Sequence, residues 1–142
     1  MAKRVKPELI YMDTSAMIAL ASRTYKNHKK AKEFFEKSIK SGINFVVGRP
    51  VLGEFLNGVS KRVNKRTAVQ LYKSYTNSRV VIIEKEIEED WEKAWKIFKQ
   101  YEDQKGMDVI DCLSFVIMER LKIREAFTFD RDFETYGFEK LL

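Results

Sequence analysis

Apolar residues in this chain follow two rhythms. Short runs of strand length occur at residues 8–12, Ile43–Val47, Val80–Ile83 and Ala126–Phe129. Between them, apolar positions recur every three or four residues, as on one face of a helix. Helices are predicted from about Ser15 to Arg23 and from Asn27 to Ser41. The second carries Ala31, Phe34, Phe35 and Ile39 inward and stops at Gly42. Gly48-Arg49-Pro50 breaks the next strand, and Pro50 opens a helix with Val51, Leu52, Phe55, Leu56 and Val59 on its apolar side. A further helix covers 65–77 and is basic on its outer face.

The pattern past residue 85 is stronger. An acidic start, Glu86 to Glu92, leads into a helix reaching about Glu102, with Trp91, Ala94, Trp95, Phe98 and Tyr101 at helical spacing. That spacing predicts a core-facing stripe rather than a platform for stacking bases. Residues 108–121 are apolar on nearly all sides, which predicts a deeply buried helix. Arg131–Thr135 reads as a short turn and 138–142 as an edge strand. Strands alternating with helices imply a parallel sheet covered on both faces, with ligands bound at the carboxyl edge where strand order reverses. The whole chain, 1–142, reads as one domain without repeat or linker.

Acids punctuate this pattern. Residues 8–12 run directly into Asp13, and Ala126–Phe129 runs into Asp130. Asp111 opens the buried helix, and Glu54 falls inside its own helix beside apolar neighbours. Taken singly, Asp13 is readable as a helix cap, Asp108-x-x-Asp111 as a capping box, and Asp130 and Asp132 as caps of the turn that follows. Glu54 is no cap; its plain reading is an exposed glutamate bordering the apolar stripe. Carboxylates are costly near a core unless something pairs with them, and the topology gathers these at one edge. Such a set is a candidate cation site, and hard oxygen donors favour Mg²⁺ or Mn²⁺ over zinc.

Charge sharpens the inference. The 142 residues carry a formal net charge of +6, unevenly divided. Residues 1–80 hold 17 Lys/Arg against 5 Asp/Glu, a balance of +12; residues 81–142 hold 10 against 16, a balance of −6. The plain reading is a solvated, lysine-rich surface; the functional one is a polyanionic partner for the basic half. The only histidine, His28, is expected in the first turn of a surface helix. The only cysteine, Cys112, leaves no disulfide framework, which points to a reducing cytoplasm. The basic start, Met1 to Pro7, lacks an apolar signal core, and no run approaches membrane-spanning length. Gly-rich phosphate loops and nucleophile elbows are absent from the sequence. Carboxylates, a divalent cation and a basic flank together suggest phosphodiester hydrolysis of a nucleic acid.

Four motifs then carry a resemblance: Ile-Tyr-Met-Asp13-Thr-Ser, Val-Leu-Gly-Glu54-Phe, Asp111-Cys-Leu-Ser-Phe-Val-Ile-Met and Ile-Arg-Glu-Ala-Phe-Thr-Phe-Asp130-Arg-Asp-Phe. The chain resembles PIN-domain nucleases over nearly its whole length, most closely the toxin ribonucleases of VapBC-type toxin–antitoxin pairs. The resemblance implies a three-layer α/β/α fold around a mainly parallel sheet of four to five strands. It implies an Mg²⁺- or Mn²⁺-dependent endoribonuclease in which Asp13, Glu54, Asp111 and Asp130 hold the metal. Ser15 and Thr128 match small hydroxyl residues that position the acids, Asp108 is expected as a cap in a supporting role, and Asp132 is expected to be peripheral. A homodimer, a small antitoxin whose tail occupies the acidic groove, and an RNA substrate are implied in the same way. Two other readings stay open at this point: a non-catalytic RNA- or partner-binding module relying on Lys61, Arg62, Lys65 and Arg66, and a housekeeping nuclease acting on precursor rRNA or DNA flaps.

Overall fold

A computed structural model describes residues 7–142. The basic start noted in the sequence therefore falls, apart from Pro7, outside the described residues. Five strands, β1 (Leu9–Met12), β2 (Asn44–Gly48), β3 (Val81–Glu84), β4 (Glu125–Phe127) and β5 (Glu139–Leu141), form one sheet in the order β3-β2-β1-β4-β5. Every pairing is parallel. Seven helices accompany it: α1 (Thr14–Ala21), α2 (His28–Lys40), α3 (Arg49–Arg62), α4 (Lys65–Thr76), α5 (Glu88–Gln100), α6 (Val109–Arg120) and α7 (Asp132–Tyr136). The α/β/α architecture and the strand count are those expected from the sequence.

Strand alternation creates the two cores. Ile10, Met12, Phe45, Val47 and Phe127 point to one face, where they pack with Ala16, Met17, Ala31, Leu52 and Phe55 of α1–α3. Tyr11, Val46 and Ala126 point to the other, into a cluster with Ala94 of α5, Phe115 and Ile117 of α6, and Phe133 of α7. A parallel sheet covered this way needs apolar residues at successive positions, which is why the strands read as unbroken apolar runs.

Chain order places the site. From β1 the chain builds outward through β2 and β3, then crosses back to lay β4 on the opposite side of β1. The switch point is thus between β1 and β4, where Met12 pairs with Phe127. The residues that follow each strand open into the crevice where ligands bind in such sheets.

One expectation fails. The aromatic stripe of α5 is only partly core: Ala94 is buried and Trp91 packs on the core beneath, but Trp95 is 53% exposed and Phe98 40% exposed. Their rings meet edge to face with centroids 5.5 Å apart. Residues 91, 94, 95, 98 and 101 span a wider arc than the underlying layer covers, so the flank of the arc faces solvent.

Candidate active site

Asp13 follows β1 without a break and is 5% exposed. It is the N-cap of α1, one of the readings the sequence allowed: its Oδ1 accepts the Ala16 N–H at 3.4 Å. The same oxygen accepts the Ser15 hydroxyl at 2.7 Å. Burial raises the carboxyl from its ordinary value to about 6, against the lowering effect of the Ser15 and Thr128 hydroxyls and the Ala16 N–H. The charge of Asp130 adds to the rise.

Beyond β4, side-chain bonds replace the strand ladder. Ser15 Oγ lies 3.3 Å from Thr128 Oγ1 and accepts the Phe129 N–H at 2.9 Å. Thr128 Oγ1 accepts the Asp130 N–H, and Asp130 Oδ1 accepts the Asp132 N–H, both at 2.9 Å. This relay ties the β1 end to the loop after β4 and fixes where Asp130 and Asp132 stand. Ser15 Oγ and Thr128 Oγ1 thus each accept a backbone N–H of this loop.

Asp111 enters from the start of α6. Asp108 caps that helix by accepting the Asp111 N–H at 2.9 Å, and Asp111 Oδ2 accepts the Asp108 N–H at 3.1 Å. The capping box read from the sequence is present. Asp111 is nonetheless pushed up to about 8, first by burial and then by the charge of Asp108, with Asp130 and Asp13 adding to it. A cap explains the backbone bonds; it does not explain an acid placed among other acids.

Asp111, Asp130 and Asp132 each offer a carboxylate oxygen within 4.8 Å of the others. Asp132 was expected at the periphery, yet it stands in the cluster. Its carboxyl is raised by burial and by the charge of Asp130. A signal was present in the sequence: Asp130-x-Asp132 at the end of a strand allows one aspartate to cap the N–H of the next, folding both carboxylates toward one point.

Glu54 lies to one side of this group. It is exposed on α3, and its Oε1 accepts the Thr14 hydroxyl at 2.8 Å, which connects it to the residue after Asp13. His28 opens α2, as the sequence suggested, and its Nδ1 lies 2.8 Å from the Ala19 carbonyl oxygen, tying α2 to α1.

The donor set fits a divalent cation. Its groups are carboxylates, with neither histidine nor thiolate among them. Among the described residues no lysine or arginine forms an ion pair with Asp13, Asp111, Asp130 or Asp132. Negative charge is therefore gathered without a protein counter-charge, and this repulsion adds to burial in raising Asp13, Asp111 and Asp132. A cation offsets that repulsion, and oxygen donors suit a hard one.

Comparison with known proteins settles the family. Residues 10–139 match the PIN domain. The chain belongs to the PIN-domain family. It is 29% identical over 130 residues to the 23S rRNA-specific endonuclease VapC20 of Mycobacterium tuberculosis, strains H37Rv and CDC 1551, covering 92% of this chain and 95% of the relative. The crystal structure of Mycobacterium tuberculosis VapC20, described as a sarcin-ricin loop cleaving toxin, superposes with a TM-score of 0.80 at 28% identity. That match covers 91% of this chain and 95% of the other. The resemblance to VapC-type PIN nucleases, expected from four short motifs, thus extends over most of the described chain.

Proposed function

We propose that the chain is a divalent-cation-dependent endoribonuclease, the toxin of a type II toxin–antitoxin pair, with Asp13, Glu54, Asp111 and Asp130 as its working acids. The observation that carries this reading is the carboxylate trio Asp111, Asp130 and Asp132 beyond β4, with Asp13 at the end of the neighbouring strand β1 and, among the described residues, no lysine or arginine paired with any of the four. Asp132 joins the donor group on geometry, and Asp108 supports it by fixing the first turn of α6. The oxygen-only set favours Mg²⁺ or Mn²⁺. When bound, such a cation supplies Lewis acidity, lowering the pKa of a water and offsetting charge on the scissile phosphate.

The protein's own groups do the placing. Ser15 holds the Asp13 carboxylate through its hydroxyl, and Thr128 fixes the Asp130 backbone by accepting its N–H, so little reorganisation is needed on binding. Glu54, anchored through one oxygen by Thr14, has its second oxygen available to accept the proton of an attacking water. The basic half of the chain grips phosphates with little regard for sequence.

The remaining elements of the proposal follow from the relatives' character. The 23S rRNA named for the relative makes a structured rRNA loop the first substrate class to test. An arginine-bearing antitoxin tail would pair with the same carboxylates and compete with the cation. Residues 1–142 are taken as one PIN domain, acting as a homodimer in the cytoplasm; no described helix is long and apolar enough to cross a membrane.

Calorimetric titration separates this reading from a binding module. Mn²⁺ is expected to bind the wild type and to bind at least tenfold more weakly to Asp111→Asn and Asp13→Asn. No heat of Mn²⁺ binding to the wild type would favour the non-catalytic module. Sequencing RNA 5′ ends after brief expression then identifies the target.

A further inference from the structure

Two arginines meet acids at the carboxyl end of β3, and they are held very differently. Arg120 of α6 donates four hydrogen bonds: two to Asp90, at 3.1 and 2.9 Å, one to Glu84 at 3.1 Å and one to the Lys85 carbonyl at 3.3 Å. Asp90 in turn accepts the Ile87 N–H at 3.0 Å. These bonds fix the loop from β3 to α5, and Glu86 stands in the middle of it.

Arg49, the first residue of α3, meets that glutamate. Its Nη2 lies 2.5 Å from Glu86 Oε1, yet this buried oxygen receives no hydrogen bond from any described residue. The two groups meet in distance and not in direction. The Arg49 side chain is 55% exposed, whereas that of Glu86 is 10% exposed. A carboxylate buried against a misaligned partner recovers little of its lost hydration. The guanidinium, a fork of five N–H donors, is not consumed by the contact.

Strand register carries Arg49 to the acids. Tyr11 pairs with Val46, so two residues further the same ladder sets Gly48 beside Asp13, on a strand about 4.8 Å away. Arg49 comes next. Glu54, which accepts the Thr14 hydroxyl, follows five residues later on the same helix, a rise of roughly 7.5 Å. Arg49 therefore stands one strand from Asp13, on the side opposite the carboxylate trio beyond β4. A cation at the first position of a helix also opposes the helix dipole, which an anion beside it offsets.

We propose that Arg49 binds the RNA backbone phosphate next to the scissile one, exchanging Glu86 for it. In the free protein the carboxylate fills the place that the phosphate takes in the complex. A phosphate accepts the paired N–H bonds that the misaligned carboxylate does not. Departure of the guanidinium opens Glu86 to water, so its charge is not left dry. This rests on the RNA reading above and deepens it by giving the strand a direction, from the trio beyond β4 across Asp13 towards β2.

The test measures binding, in Asp111→Asn protein so that the RNA survives. The probe is a fluorescein-labelled mixed-sequence single-stranded RNA, read by anisotropy across a KCl series. Arg49→Gln is expected to weaken binding about fivefold and to lower the salt slope by about 0.7, as for one lost phosphate contact. Glu86→Gln is expected to do the opposite. It should tighten binding about threefold more than Glu89→Gln, an equal charge change at an exposed position of α5. In the Arg49→Gln background the two Glu→Gln changes should match, because the cation that Glu86 releases is gone. Arg49→Lys keeps the charge and loses the fork, so it should keep the salt slope while binding about threefold more weakly. A clasp that only ties α3 to the β3–α5 loop behaves otherwise: Arg49→Gln and Glu86→Gln then lower the melting temperature together and move binding in one direction. That result, or a Glu86→Gln gain that survives Arg49→Gln, overturns the proposal. Failure of the nuclease reading is distinguishable. If the wild type cleaves nothing while the Arg49 and Glu86 variants shift binding as stated, the nuclease reading fails and the phosphate contact stands. If cleavage is normal while both variants bind as the wild type does, the reverse holds.

Discussion

Asp108 and Asp111 cap one another, each carboxylate accepting the other's backbone N–H, at 2.9 and 3.1 Å. The two acids are equivalent as caps and unequal in surroundings. Asp111 faces Asp130 and Asp132 across a gap that a cation could occupy, whereas Asp108 is exposed and lies outside that trio.

The difference separates stability from chemistry. Asp108→Ala should cost about 1 kcal/mol, the usual loss for an N-cap, and should leave most RNA cleavage intact. Asp111→Asn should abolish cleavage while changing the melting temperature little, because it removes a half-buried carboxyl that resists ionisation. Thermal melts and a cleavage assay on the same two proteins check both halves.

Stability without metal should vary with pH in the direction opposite to that of most carboxylates. Asp13 is raised to about 6 and Asp111 to about 8, each primarily by burial. Between the unfolded value near 4 and these folded values, the native state holds more protons than the unfolded chain. Stability is then greatest below about pH 4 to 5 as far as these two groups are concerned, and falls as pH rises through 6 and 8. Melting in EDTA should show a higher midpoint at pH 6 than at pH 8.5. Excess Mn²⁺ should stabilise more at pH 8.5 than at pH 6, because at the lower pH protons compete for the same oxygens.

Much of this arrangement was legible in the sequence, for physical reasons. Apolar runs ending in Asp13 and Asp130 reveal both the parallel strands and their carboxyl edge, and the order of elements brings that edge to one crevice. Two details were not legible, and a third, the place of Asp132, was signalled only by the Asp130-x-Asp132 spacing. Strand β4 ends at Phe127 rather than Phe129, because the hydroxyls of Ser15 and Thr128 take the N–H groups of Phe129 and Asp130. That exchange joins residues more than a hundred positions apart, beyond the reach of local pattern. Asp132 enters the cluster through a bond to Asp130 that depends on this turn. Trp95 and Phe98 share a helix face with core residues, but spacing alone does not say how wide a strip the neighbouring layer covers.

Behind the acids, a buried tyrosine sets the spacing between β1, β2 and α6. Tyr11 donates its hydroxyl hydrogen to Ser114 Oγ at 2.7 Å and accepts the Gly48 N–H at 3.3 Å. A Cβ on Gly48 would stand 2.7 Å from that hydroxyl oxygen and 3.2 Å from Ile117 Cδ1. Gly48→Ala should therefore destabilise by about 1–3 kcal/mol through overpacking. Tyr11→Phe should cost about 1–3 kcal/mol by leaving buried polar groups unpaired. Together the two should cost less than their sum, because removing the hydroxyl also removes the closest clash. Urea denaturation of the two single variants and the double variant measures the coupling.

The central claim is that the acids at the β1/β4 switch point are a nuclease centre. Purified protein with Mn²⁺ should be incubated with total RNA containing tRNA and rRNA, and the products mapped by their 5′ ends. The account predicts discrete cleavage sites that vanish in EDTA and in Asp111→Asn. Intact RNA with the wild type, or the same cuts from Asp111→Asn, would contradict it.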